Sequence, residues 1–95
     1  MEIKNLENDS LENLENVLVD FHATWCGPCK MLSPVLEELK NEIQIVKVDV
    51  DKNPNLCKKY GVMSVPTLIY FRNSEDYEVS VGYKNADEIR NMIKE

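Results

Sequence analysis

Residues 17–50 contain a strand, an amphipathic helix and a second strand, and no other feature of the sequence constrains the fold more. The β-branched run at 17–21 predicts a buried strand, and residues 43–50 predict another. Between them, apolar residues recur at three- and four-residue spacing and predict a helix: Met31, Leu32, Val35, Leu36 and Leu39. Two strands joined by such a helix are expected to be parallel and to belong to an α/β fold.

Two further helices are indicated by the signals at their ends. An Asn-Pro pair at Asn53 and a glycine at Gly61 are typical of a helix start and stop, which predicts a short helix over 54–60. Near the C-terminus, Asn85 and Glu88 have the spacing of a capping box and predict the start of a last helix. Helices that alternate with strands in this way are typical of layered α/β folds.

The remaining segments predict further strands and one more helix. Residues 66–71 and 77–82 predict an antiparallel hairpin, and residues 3–6 predict an edge strand. After that edge strand, Asp9 and Glu12 have the spacing of a cap for a short helix. The expected architecture is a three-layer α/β sandwich around a mixed sheet.

Length and charge exclude several classes of protein. Residues 1–95 are expected to form a single domain, because the chain cannot fill two cores. The net charge is −6 and no Lys/Arg cluster exceeds a pair, which argues against nucleic acid and anionic membranes as partners. No apolar run reaches the ~18 residues of a membrane span, and residues 1–5 lack the basic region followed by an apolar stretch that is typical of a signal peptide. A cytoplasmic location is therefore expected.

The Cys-Gly-Pro-Cys segment lies at the junction of the first buried strand and the long helix. Catalytic groups of open α/β sheets gather at the carboxyl ends of strands. The unpaired N–H groups of a helix start favour a thiolate over a thiol. Cys26 and Cys29 are one turn apart, a separation that a disulfide accepts. We therefore expect Cys26 to attack a partner's disulfide and Cys29 to resolve the mixed disulfide.

A Cys-x-x-Cys pair also occurs as half of a zinc site. Such a site needs two further ligands, and the sequence offers only Cys57 and His22, neither in a paired spacing. The position of the pair at a helix start within a strand–helix–strand unit favours redox chemistry. We therefore expect no bound metal, and we expect Cys57 to be a small core residue.

One acidic residue and two prolines are unusual for the elements that hold them. Asp20 interrupts an apolar strand, so burial should raise its pKa, and it could accept a proton from Cys29. The alternative is that the Asp20 carboxylate faces solvent or is hydrogen-bonded to the backbone. Pro66 is expected to follow a trans bond, because only ~5 to 6% of X-Pro bonds are cis. Pro34 is expected to bend the long helix.

Together these motifs resemble those of the thioredoxin family along nearly all of the chain. Segments that match the family's order and approximate spacing are Val19-Asp20-Phe21, Trp25-Cys26-Gly27-Pro28-Cys29-Lys30, Pro34, Val48-Asp49-Val50-Asp51, Tyr60-Gly61-Val62, Val65-Pro66-Thr67-Leu68 and Val81-Gly82. The resemblance implies a thioredoxin fold, which is a three-layer α/β/α sandwich with a central mixed sheet of four to five strands. The Gly-Pro dipeptide between the cysteines is similar to that of reducing thioredoxins.

The resemblance also implies roles for individual residues. Cys26 would be the exposed nucleophile, Cys29 the buried resolver and Asp20 the buried proton acceptor. Pro66 would be cis and face the cysteines, and Lys47 would neighbour Asp20. An apolar docking surface for clients would consist of Trp25, Gly27, Pro28, Val65, Pro66 and Gly82.

By the same resemblance, the protein would be a cytoplasmic protein-disulfide reductase and electron carrier. It would be a monomer, would hold no cofactor and would receive electrons from a thioredoxin reductase. Two other functions remain open, namely a specialised disulfide reductase or isomerase for one client and a non-catalytic binding or metal-holding module. The chain departs from the family pattern in a shorter N-terminal region, in His22 at a position often apolar, and in Asn73-Ser74 instead of an Asn-Gly turn.

Overall fold

One mixed sheet with helices on both faces makes up the fold. The structure is a computed structural model that describes residues 1–12 and 14–94. The strands are β1 (Lys4–Leu6), β2 (Val17–His22), β3 (Gln44–Asp49), β4 (Thr67–Phe71) and β5 (Tyr77–Val81), and the helices are α1 (Gly27–Leu39), α2 (Pro54–Tyr60) and α3 (Ala86–Ile93). No helix within these two ranges is long and apolar enough to cross a bilayer.

Strand pairing follows the order β1-β3-β2-β4-β5. β3 pairs in parallel with β2, as the strand–helix–strand pattern predicts, and it also pairs in parallel with the edge strand β1. β4 pairs antiparallel with β2 and with β5, which confirms the predicted hairpin. In this register Asp20 of β2 lies between Lys47 of β3 and Leu68 of β4. The only acidic residue of β2 is therefore in the middle of the sheet.

Side chains along β2 alternate between two apolar cores, because successive residues of a strand point to opposite faces. Leu18 packs against the apolar stripes of α1 and α3 on one face. Val19 and Phe21 pack against Leu56 of α2 on the other face. Helices thus cover both faces of the sheet, and the predicted three-layer sandwich is confirmed.

The buried stripe of α1 is narrower than predicted. Leu32 and Leu36 are fully buried, whereas Met31 is 62% exposed. Because each helical residue turns the side-chain direction by about 100°, Met31 lies beside the stripe that faces the sheet. Pro34 is in the interior of α1, where its missing N–H leaves the carbonyl of Lys30 without its usual helical donor. The bend expected at Pro34 stays a prediction.

The segment after β1 does not form the predicted helix. Residues 7–12 and 14–16 are irregular, and residue 13 of that predicted helix lies outside the described residues. Asp9 has a φ of 53°, and its carboxylate accepts hydrogen bonds from the backbone N–H groups of Asn55 (3.2 Å) and Leu56 (3.0 Å). Asp9 therefore caps the N-terminus of α2 instead of a helix of its own.

Asn53, the predicted cap of α2, has a different role. Its fully buried side chain makes no capping hydrogen bond. The Asn53 amide donates to the backbone carbonyls of Leu6 (3.4 Å) and Asp49 (3.0 Å) and accepts from the N–H of Asp9 (2.9 Å). A buried amide needs such partners for both its donors and its acceptor. Asn53 thus joins the ends of β1 and β3 to the segment after β1.

The hairpin turn and the last helix begin with the polar contacts that their sequences indicate. In the turn, the Asn73 side chain accepts hydrogen bonds from the N–H groups of Glu75 (2.9 Å) and Asp76 (3.1 Å). At α3, Asn85 and Glu88 form the predicted capping box through reciprocal bonds of 2.9 and 3.0 Å. The β4 and β5 strands are each one residue shorter than predicted.

Asp9→Ala is expected to lower the free energy of unfolding by about 1 kcal/mol, because two N–H groups of α2 lose their acceptor. Asp9→Asn should lose less, because Asn keeps one acceptor and tolerates a positive φ. Urea unfolding would measure both changes as a lower midpoint at constant slope. The control Asn8→Ala alters an exposed neighbour and should change stability by less than about 0.5 kcal/mol. Equal losses at residues 8 and 9 would contradict the capping role.

Candidate active site

The candidate active site lies where β2 ends and α1 begins. Cys26 is the N-cap of α1, with φ −92° and ψ 115°. The backbone N–H of Cys29 donates to the Cys26 Sγ atom at 3.2 Å. The two residues form a disulfide, and their Cα atoms are 5.2 Å apart. The predicted pairing of these cysteines at a helix start is confirmed.

Neither cysteine is exposed in this disulfide form. Cys26 and Cys29 are each 5% exposed and pack with Ala23, while Val50 and Val65 lie at the margin of the cluster. The expectation of an exposed Cys26 is therefore wrong. The segments that follow β3 and precede β4 bring Val50 and Val65 against the disulfide, and the sequence does not show that contact. The expectation of a buried Cys29 is confirmed.

The first turn of α1 favours negative charge on a sulfur. It contains no acidic residue, so its N–H groups and the positive end of the helix dipole face the disulfide without a competing carboxylate. Pro28 lies in this turn, where its missing N–H would have had no intrahelical partner. A Cβ added at Gly27 would meet nothing within 4 Å, so its backbone is open to an approaching chain. On reduction, the site can therefore supply a thiolate to a docked polypeptide.

The Val65–Pro66 peptide bond is cis and borders the disulfide. The Val65 carbonyl oxygen lies 3.7 Å from the Cys26 Sγ atom. The trans bond expected from base rates is wrong, and the cis bond implied by the family resemblance is confirmed. The two isomers of an X-Pro bond differ by only about 0.5–1 kcal/mol in free chains, so tertiary contacts decide between them.

Trp25 and Gly82 also lie at the rim of the site. Trp25 is 68% exposed, and its indole N–H donates to Asp51 Oδ2 at 3.0 Å. Gly82 has a φ of 98°, a conformation that favours glycine, and its N–H donates to the Pro66 carbonyl at 2.8 Å. Asp51 belongs to a segment that matches the family pattern, but the sequence alone assigned it no individual role. Its position after β3, beside the end of β2, was the available signal.

Asp20 is a buried carboxylate without a hydrogen-bond partner. It is 1% exposed, and neither side-chain oxygen has a partner among the described residues. Burial raises the pKa of Asp20 from 3.8 to about 7, although the Lys47 ammonium acts in the opposite direction. This finding confirms the expected direction of the pKa change and rejects the solvent-facing and backbone-bonded alternatives.

Lys47 is next to Asp20, as the family resemblance implies. Its Nζ atom donates to Ser33 Oγ of α1 at 3.2 Å. Sequence reasoning missed Ser33, and only its position one turn after Cys29 could have suggested a role. His22 is half-buried at the end of β2; its pKa is lowered by burial and by Lys47, against the effect of Asp49.

The two residues considered as zinc ligands do not form a metal site with the cysteine pair. Across residues 1–12 and 14–94, no group of three or more His, Cys, Asp and Glu side chains could hold a metal ion. Cys57 is half-buried on α2, and its Sγ atom lies 3.9 Å from the Val50 carbonyl. Burial raises the pKa of the Cys57 thiol, which makes it a poor thiolate.

Comparison with protein families and curated sequences gives one consistent result. The family model described as thioredoxin matches residues 2–95. The chain is 51% identical over 81 residues to a thioredoxin of Bacillus subtilis, covering 81% of this chain and 78% of that protein. It is 46% identical over 91 residues to a thioredoxin of Listeria monocytogenes, covering 92% of this chain and 86% of that protein.

Solved structures agree with the sequence comparison. A mutant thioredoxin from Halobacterium salinarum superposes with a TM-score of 0.88 at 38% identity, covering 98% of this chain and 88% of that chain. Chloroplastic thioredoxin z superposes with a TM-score of 0.79 at 28% identity, covering 99% of this chain and 93% of that chain. With Cys26 and Cys29 as its redox pair, the protein is a thiol–disulfide oxidoreductase with a thioredoxin fold, and the chain belongs to the thioredoxin family.

Proposed function

We propose that the protein is an electron carrier, which reduces disulfides in client proteins and is itself reduced by a thioredoxin reductase. The observation that supports this most directly is the disulfide at the start of α1, with the Val65 carbonyl 3.7 Å from Cys26 Sγ. Such a pair transfers two electrons per cycle without a bound cofactor. We further propose that it works in the cytoplasm, in electron transport and cell redox homeostasis.

Cys26 acts as the nucleophile and Cys29 as the resolver. The Cys26 thiolate attacks one sulfur of a client disulfide, a mixed disulfide forms, and the other client sulfur leaves as a thiolate. Cys29 then loses its proton and attacks Cys26 Sγ, which breaks the mixed disulfide and frees the second client sulfur. The client gains two electrons, and the Cys26–Cys29 disulfide forms. The reductase returns two electrons to this disulfide and closes the cycle.

Asp20 acts as the proton acceptor for Cys29. Cys29 is 5% exposed, so bulk water has little access to its proton. Asp20 follows Leu18 by two residues in β2, so it points to the same face of the sheet, which α1 covers. Because burial raises the pKa of Asp20 to about 7, its carboxyl group exchanges a proton readily near neutral pH. The transfer proceeds directly or through one water molecule.

Clients dock as extended strands against the rim of the disulfide. The backbone of Val65 pairs with the client strand, and its carbonyl already lies beside Cys26 Sγ. The open backbone at Gly27 and the exposed face of Trp25 suit the approach of another chain. The docking surface consists of Trp25, Gly27, Pro28, Val65, Pro66 and Gly82.

The remaining proposals concern the whole chain. Residues 1–95 form a single thioredoxin domain that works as a monomer, with Pro34 and Lys47 in structural roles. A reductase or isomerase dedicated to one client would use the same chemistry on fewer substrates. A binding module would dock partners without turnover, and the redox pair of this chain argues against it.

Insulin reduction coupled to a thioredoxin reductase tests the proposed function. We expect robust turnover by the wild-type protein, because both halves of the cycle are then supplied. Cys29→Ser should lose turnover and accumulate covalent adducts with clients, since the mixed disulfide has no resolving thiol. Cys57→Ser is the matched control and should keep turnover without adducts. Turnover with only one client would favour the dedicated enzyme, and absence of both turnover and adducts would favour the binding module.

Trp25 reports the redox state of the pair. It is the only tryptophan, it adjoins Cys26, and its indole is bonded to Asp51. We therefore expect its fluorescence to change when dithiothreitol opens the disulfide. A Cys26→Ser/Cys29→Ser double variant has no disulfide to open and is expected to show no response. Equal responses of the wild type and the double variant would refute this link between Trp25 and the disulfide.

Asp20→Asn should change how stability depends on pH. The folded-state pKa of Asp20 is raised from 3.8 to about 7, so between these values the folded chain holds a proton that the unfolded chain has released. Wild-type stability is therefore lost as pH rises through this window, by an amount on the order of 4 kcal/mol in full. Asp20→Asn should not lose stability in this way. Its net gain in the free energy of unfolding over the wild type should be smaller than the wild-type loss, because burial of the Asn amide also costs free energy. Urea unfolding at pH 5 and pH 8 measures the difference.

The same variant should slow the resolution of a mixed disulfide across pH 6 to 8, because Cys29 loses its proton acceptor. Glu75→Gln, a change of the same kind at an exposed hairpin residue, is the control for both measurements. A wild-type resolution rate in Asp20→Asn across this pH range would defeat the acceptor role. A pH dependence of stability equal to that of the control would contradict the raised pKa.

A further inference from the structure

Lys47 lies opposite a buried carboxylate but donates its hydrogen bond elsewhere. Asp20 and Lys47 are direct neighbours in the parallel pairing of β2 with β3, where strands are about 4.8 Å apart. A lysine side chain is long enough to reach across that gap. Its Nζ atom nevertheless donates to Ser33 Oγ at 3.2 Å, while both oxygens of Asp20 have no partner among the described residues.

The surroundings of Lys47 explain this choice of partner. Lys47 is half-buried and, with Ser33, lines a surface cavity of about 430 Å³ between β1 and α1. An ammonium group is strongly hydrated, so moving it from this cavity to the buried side of Asp20 would remove much of its hydration. The Ser33 hydroxyl offers an acceptor at the cavity wall. The Lys47 ammonium therefore stays at the cavity, where it keeps more of its hydration.

We propose that Ser33 is a positioning residue for the redox reaction, because its hydroxyl holds the Lys47 ammonium away from Asp20 and so preserves the proton affinity of the Asp20 carboxyl group. This inference deepens the proposed function and rests on the role of Asp20 as proton acceptor. In this role Ser33 acts through Lys47, to which its hydroxyl is bonded.

The packing around Asp20 leaves few other groups that could set its proton affinity. On the β4 side its neighbour is Leu68, which carries no charge. On α1, Ser33 is bonded to Lys47, and Glu37 and the C-cap residue Lys40 line the same cavity as Lys47. None of Ser33, Glu37 and Lys40 is among the groups that shift the pKa of Asp20. Within residues 1–12 and 14–94, neither oxygen of the carboxyl group has a hydrogen-bond partner. The charged groups that could set the proton affinity of Asp20 are therefore those on β2 and β3.

On those two strands, Lys47 is the charged group that acts on Asp20. It lowers the pKa of Asp20 against the larger effect of burial. His22, on the same strand as Asp20, has its pKa lowered by burial and by Lys47, and it is not among the groups that shift the pKa of Asp20. Asp49 lies opposite His22 in the register and acts on His22. Among the described residues, Lys47 is thus the side chain whose charge shifts the pKa of Asp20.

Loss of the Ser33 hydroxyl should let the ammonium approach Asp20. Coulomb attraction grows as the distance shortens, and it is weakly screened at a buried site. The Asp20 carboxylate would then hold its proton less firmly and would be a weaker acceptor for the Cys29 proton. The pH range in which Cys29 is deprotonated through Asp20 would change accordingly.

The Asp20 titration in oxidised protein, followed by carbon NMR of its carboxyl group, tests the inference. We expect Ser33→Ala to lower the midpoint by about 0.5 to 1 pH unit. Ser33→Thr keeps the hydroxyl and should keep the wild-type midpoint. Alanine is favourable in a helix, so loss of folding is not expected for the first variant. A wild-type midpoint in Ser33→Ala would overturn the inference.

A double-mutant cycle separates action through Lys47 from a general structural effect. Lys47→Met should raise the Asp20 midpoint, because the opposing charge is gone. Adding Ser33→Ala to Lys47→Met should then change nothing further. An equal decrease with and without the lysine would overturn the proposed route through Lys47.

Resolution kinetics distinguish this inference from the proposed function on which it rests. If both hold, the pH profile for resolving a mixed disulfide shifts in Ser33→Ala by the same interval as the Asp20 titration. A shifted titration with an unshifted kinetic profile would overturn the acceptor role of Asp20 and leave the action of Ser33 on Asp20 supported. An unshifted titration would overturn the action of Ser33, whatever the kinetics.

Discussion

The contact between the first turn of α1 and the sulfur at its start is the interaction on which the site depends. Cys26 is both the residue that ends the segment after β2 and the cap of α1, with the N–H of Cys29 bonded to its sulfur at 3.2 Å. Any helix start offers unpaired donors and a positive dipole end. Here the group that satisfies one of them is a sulfur of the redox pair. In the proposed mechanism, the contact that caps α1 therefore also activates the nucleophile.

The loop between β3 and α2 completes the site, and the N-terminal segment holds this loop in place. Asn53 joins β1 to the end of β3, and Asp9 caps α2. Between the end of β3 and α2 lie Val50, which borders the disulfide, and Asp51, which accepts from the exposed indole at the rim. The N-terminal segment forms no helix within residues 1–12 and 14–16, yet it anchors the loop that forms one side of the site.

A buried carboxylate in mid-sheet lowers stability, and in the proposed mechanism it accepts the proton of Cys29. Asp20 has no hydrogen-bond partner in the part of the chain that the structure describes, and its neighbour Lys47 is bonded to Ser33 instead. A direct ion pair would compensate part of the cost of burial but would fix Asp20 in the charged state. Separation of the two groups leaves a carboxyl group that gains and loses a proton near neutral pH. Perturbed groups of this kind are characteristic of functional sites.

The sequence by itself determined the local elements, among them α2 at residues 54–60 and the pairing of Cys26 with Cys29, because they depend on residues within one or two turns along the chain. The tertiary structure decided the cis bond before Pro66, the burial of Cys26 and the capping of α2 by Asp9 from 47 residues away. Each of these outcomes depends on which groups packing brings together. Sequence patterns cannot rank such distant partners, because the competing local choices differ by only about 1 kcal/mol.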